Sequence, residues 1–105
     1  MAFGISIHGV PKRDGEAVPV FDNVVWWDER ALMKDIRFRP IDSPGYRDYV
    51  ACLSFEEMLE LQHRYGAQAW GRFKLESERL GNCLADQSGN VRWWVVTVFE
   101  WESGF

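Results

Sequence analysis

Long apolar runs are missing from this 105-residue sequence. None approaches the roughly 20 residues that a bilayer-crossing helix needs, so no membrane partner is expected. The opening stretch Met1–Gly9 carries neither a basic segment nor an extended apolar core, and so does not read as a secretory signal. A cytoplasmic location is the expectation. Cysteine is scarce: Cys52 and Cys83 lie far apart, with no C-x-x-C pair and no Cys/His cluster of ligand spacing. That pattern predicts no metal site and two separate, buried, hydrophobe-like thiols, with a disulfide between them as the alternative.

Histidine is equally sparse. His8 falls on the polar side of the first strand pattern and His63 beside Arg64, each without a partner motif for general-base chemistry. Cys52, His63 and an aspartate are conceivable as a thiol site, the minor reading of these residues. Glycine-rich phosphate loops are absent in both the G-x-G-x-x-G and G-x-x-x-x-G-K-[ST] forms. No basic stripe exists either. Arg37 and Arg39 come nearest, and two arginines on one side of a strand are ordinary surface, which speaks against nucleic acid. The absences together predict a protein that is not an enzyme and takes no cofactor.

What is present is core material. Hydrophobic residues make up 47% of the chain and aromatics 15%, with six Trp, which excludes a disordered chain and suits one domain over residues 1–105. The charge is mildly acidic, 12 basic against 16 acidic residues for a net −4.

The pattern of apolar positions predicts an α+β fold: a mostly antiparallel sheet of four or five strands with one main helix packed on one face. Phe3, Ile5 and Ile7 alternate with small or polar residues as a half-buried strand does. Val18–Phe21 reads as a short edge strand because Pro19 cannot donate to a ladder. Val24–Trp27 favours strand and Asp28–Lys34 a short helix. Ile36–Ile41 and Tyr46–Leu53 read as a hairpin, with Pro44-Gly45 suited to the centre of a type II turn. Ser54-Phe55-Glu56-Glu57 is a capping box, with Leu53 and Met58 placed to staple the entry. From there the main helix is expected over about residues 54–80, with a break or kink near Gly66 and an end at Gly81. The alternation of Gly71, Phe73 and Leu75 also permits a strand. Val91–Trp101 is apolar on both faces and predicts a central strand.

Six tryptophans are hard to bury in 105 residues. Trp70, Trp93 and Trp94 are assigned to the core. The adjacent pairs Trp26-Trp27 and Trp93-Trp94, if on strands, send one ring to each face, which leaves rings for a partner. Trp26, Trp27 and Trp101 are the expected anchors, with Glu100 and Glu102 steering a basic target. The chain is therefore expected to be a protein-binding module using the sheet face opposite the helix. A small, acidic, Trp-rich α+β chain without catalytic residues resembles, in general character, the immunity proteins that bind and neutralise bacterial toxins. That resemblance implies a bacterial origin and a toxin domain as partner. Other interaction or phage structural roles, a ligand-binding domain and an unrecognised enzyme are the alternatives, and the same sheet face could close a homodimer.

Overall fold

Val91–Trp101 does form the longest strand, and its density of β-branched and aromatic residues places it at the centre of the molecule. A computed structural model describes residues 2–43 and 46–101, without the side chains of residues 2, 3, 42, 43, 46, 47 and 101. In chain order the elements are β1 (Ala2–Pro11), β2 (Val20–Phe21), α1 (Glu29–Asp35), β3 (Arg39–Ser43), β4 (Tyr46–Leu53), α2 (Phe55–Gly66), α3 (Arg72–Asp86) and β5 (Val91–Trp101). They make a single α+β domain, with one sheet in the order β2-β1-β5-β4-β3 and every neighbouring pair antiparallel.

The register decides which residues meet. Ile5 lies opposite Val98, Ile7 and Ala51 opposite Val96, and Leu53 opposite Trp94. These side chains share one face, and all are buried with Met58 and Leu61 of α2, Leu80 and Leu84 of α3 and Leu32 of α1. The three helices thus lie on one side of the sheet. The molecule measures 41 × 34 × 23 Å, and its thin dimension is that of one sheet and one helix layer.

The capping box forms as its sequence requires. Glu57 N–H donates to Ser54 Oγ at 3.2 Å, and Ser54 N–H donates to Glu57 Oε1 at 3.0 Å. Leu53 and Met58 close the entry as a buried pair. Ser54→Ala is expected to lower stability by about 0.5–2 kcal/mol. Urea unfolding measures it, and an unchanged midpoint would show that the cap contributes nothing.

Several expectations need correction. The single main helix is two helices, because the chain reverses between Gly66 and Arg72. Gly71 takes φ +58°, a conformation that breaks a helix and favours glycine. Gly66 is needed for a second reason: an added Cβ would lie 2.6 Å from Ser77 Oγ, so its absence lets α3 close on α2. Gly81 does not end α3, which runs on to Asp86. Val24–Trp27 is a turn, not a strand. Asn23 reverses the backbone with φ 54°, Val24 N–H donates to the Ile5 carbonyl, and Asp28 Oδ1 caps α1. Cys52 is exposed rather than buried, and Cys83 is half-buried in the helix layer; both thiols are free. The edge strand shrinks to Val20–Phe21, and the hairpin strand shifts to Arg39–Ser43. Ser43 pairs with Tyr46, while the Pro44-Gly45 turn lies outside the described residues.

Candidate protein-docking surfaces

Of the five residues expected to anchor a partner, the structure describes the side chains of Trp26, Trp27 and Glu100. Trp27 is 2% exposed and packs on the Tyr65 ring at 5.6 Å, inside the helix layer. It offers no surface to a partner. Trp26 is half-buried against the same core. Both rings come from a turn, so the strand rule that sends neighbours to opposite faces does not govern them. Glu100 is half-buried and accepts a hydrogen bond from the Tyr49 hydroxyl at 3.0 Å, a tie within the sheet that restrains it from steering a target. The Trp101 side chain and Glu102 lie outside the described residues. Cys52 faces away from the helices while His63 sits exposed on α2, so the thiol site does not form either.

Two apolar surfaces stand in their place. The first is the sheet face away from the helices. Cross-strand rows there run Val20, His8, Val95, Cys52, then Ser6, Thr97, Val50, Arg39, then Gly4, Phe99, Asp48, Ile41, with Trp93 beside Val10 at one end. Val20, Val10, Ile41 and Trp93 are exposed, Trp93 by 47%. Trp93 thus leaves the core to which the sequence assigned it, while Trp94 is buried as expected.

The second surface is the turn joining α2 to α3. No residue from Gly66 to Glu76 is buried. Trp70 is 74% exposed and meets Phe73 edge-on at 6.0 Å; the Arg72 guanidinium sits over the Phe73 ring at 5.0 Å, and Leu75 is 70% exposed. Trp70 was placed in the core by helical spacing, and the glycines on either side of it, Gly66 and Gly71, were the signal that it belongs to a turn. Behind it, a groove of about 590 Å³ runs between α2 and α3, bordered by Leu59, His63, Ala69, Lys74 and Asn82. Its floor is braced by Gln62, whose Nε2 donates to the Ser77 carbonyl at 2.7 Å and to Ser77 Oγ at 3.0 Å.

No relative emerges. No family model matches the chain, no curated protein matches its sequence, and no solved structure matches its fold. The surfaces have to be judged on their own chemistry.

The titratable groups that cluster do so to join elements. Among the described residues no three His, Cys, Asp or Glu side chains are placed to share a metal ion. Beside a crevice of about 210 Å³, Asp35 at the end of α1 accepts from the Tyr65 hydroxyl at 2.5 Å and pairs with Arg64 at 2.9 Å; Arg64 also pairs with Glu60. The Tyr65 hydrogen bond first, and Arg64 second, hold the Asp35 carboxyl below its ordinary 3.8. Its contribution is present above that value and is lost as pH falls through the lowered one. Burial first, and Asp35 second, push Tyr65 from 10.0 up to about 12, so its contribution is complete below pH 10.0 and lost as pH rises toward 12. Tyr65→Phe is expected to flatten both limbs of the curve of unfolding midpoint against pH. Limbs that keep their slopes would assign them to other groups.

Proposed function

We propose that the chain is a non-enzymatic protein-binding module whose foreign partner is anchored on the Trp70 cluster. One observation carries this reading: the most exposed large aromatic side chain among the described residues, Trp70, does no packing work in the core, yet meets the Phe73 ring, over which the Arg72 guanidinium sits. Burying such side chains in a partner releases apolar area from water, and Trp and Arg dominate the energetic centres of interfaces. The Phe73 contact and the short turn restrain the ring, which lowers the entropy lost on docking.

The biological role we propose for the module is neutralisation of a bacterial toxin, in line with its small size and its exposed aromatic anchor. Arg72 and Lys74 flank Trp70, so the surface that meets this cluster is neutral or acidic, and a basic target draws no support from it. The test is affinity capture from the cells that make the protein, with wild type and Trp70→Ala side by side. A protein retained by wild type and lost by the variant is expected. If that protein is a toxin, its activity falls on adding wild type and persists on adding Trp70→Ala. Identical captures with both forms would remove Trp70 as the anchor.

A further inference from the structure

We infer that Gln62 and Ser77 are positioning residues for the Trp70 anchor, a polar clamp that holds the turn between α2 and α3 in the form a partner binds. The inference rests on Trp70 being that anchor. The turn has little packing to hold it, since no residue from Gly66 to Glu76 is buried. Its backbone bonds are all local. Gln68 N–H donates to the Tyr65 carbonyl at 3.3 Å and Ala69 N–H to that of Gly66 at 3.1 Å, while Phe73 and Lys74 N–H donate to those of Trp70 and Gly71 at 3.2 Å. Local bonds on an exposed segment open at little cost, so the turn needs a tie to the buried layer if it is to keep one form.

Ser77 and Gln62 supply that tie. Ser77 Oγ, on α3, donates to the Gly66 carbonyl at 3.1 Å, the same oxygen that accepts from Ala69. Gln62 Nε2, on α2, donates to the Ser77 carbonyl at 2.7 Å and to Ser77 Oγ at 3.0 Å. Both side chains are buried. The bonds run in one direction, from amide to hydroxyl to carbonyl, so each strengthens the next. They converge on the oxygen where α2 ends and the turn begins. Gly66 makes the fit possible: a Cβ there would lie 2.6 Å from Ser77 Oγ and 2.7 Å from Gln62 Nε2.

Stability alone is a poor reason for this arrangement. Gln62 Oε1 is buried and finds no hydrogen-bond partner among the described residues. A buried network satisfied only in part is worse for folding than apolar side chains of similar size. What the clamp supplies is direction, because hydrogen bonds fix an orientation that apolar contact leaves free. The Gly66 carbonyl is set on one side of Trp70, and on the other the Trp70 carbonyl takes the Phe73 N–H at the start of α3. The anchor is thus hung between two fixed points. A turn released from the clamp keeps the binding form for only part of the time, and affinity falls by that fraction.

Hydrogen exchange read residue by residue by NMR tests the clamp in the free protein. In Ser77→Ala and in Gln62→Leu, the Ala69 and Phe73 amides should exchange about tenfold faster relative to those of Leu80 and Val96 in the buried layers. Affinity for the protein that wild type captures should fall about tenfold in both variants, although each keeps Trp70, Arg72 and Phe73. Trp70→Ala separates the two claims, because it keeps the clamp: Ala69 should exchange as in wild type while the captured protein is lost. Unchanged exchange at Ala69 and Phe73 in the clamp variants overturns the inference. So does an acceleration that Leu80 and Val96 share equally, which would make the role structural only, or wild-type affinity in a variant whose turn has loosened. A captured protein retained by Trp70→Ala removes the anchor, and the inference with it, even where exchange behaves as expected.

Discussion

Trp27→Ala is expected to destabilise the fold by about 3–5 kcal/mol, a large share of the 5–15 kcal/mol that holds a domain of ordinary stability together. The ring is among the largest fully buried side chains, and Tyr65, Val24 and Leu32 belong to the same cluster. Its removal leaves a cavity where the turn, α1 and α2 converge, and a backbone this constrained cannot collapse to fill it. Among the described residues the indole N–H has no hydrogen-bond partner, and packing holds the ring. Trp27→Phe should therefore recover more than half of the loss. Denaturant titration of the three forms measures this. A loss below 1 kcal/mol for Trp27→Ala would place the ring outside the core and return it to the list of binding anchors.

Trp70→Ala is expected to do the reverse. Its stability should stay within about 0.5 kcal/mol of wild type, because the ring contributes little to the core. Its affinity for the captured partner should fall by about 2 kcal/mol or more, roughly 30-fold, as for a central aromatic anchor. Calorimetry on the purified pair measures the affinity. A change of less than threefold, with folding intact, would show that Trp70 is surface and nothing more. The two variants together separate the structural tryptophan from the functional one, and the sequence reading had these two rings the other way round.

That reversal has a physical cause. Local chemistry was legible: Ser54 and Glu57 lie within one turn, so their mutual bonds need no knowledge of the rest of the chain. β5 was legible for a similar reason, since an eleven-residue run apolar on both faces can satisfy itself only in the middle of a sheet. Val24–Trp27 misled because β propensity reports apolar, branched side chains and not backbone pairing. Here Val24 and Trp27 are buried while Val25 is exposed, in a turn held to β1 by the bond from Val24 to Ile5. Trp70 misled because Ala69, Trp70, Phe73 and Leu80 keep helical spacing across a break, and the positive φ at Gly71 that creates the break is invisible to periodicity. Glu100 was correctly placed near the end of β5, but its hydroxyl partner Tyr49 comes from 51 residues earlier, through a register that only the folded sheet sets.

The central claim is that Trp70 is the anchor of a protein partner. Hydroxyl-radical footprinting, read residue by residue by mass spectrometry with and without the captured partner, tests it most directly. Free in solution, Trp70 should be the most heavily oxidised of Trp26, Trp27, Trp70, Trp93 and Trp94, and Trp27 nearly inert. In the complex, Trp70 and Phe73 should be protected together. A Trp70 oxidised as fast in the complex as in the free protein would contradict the account.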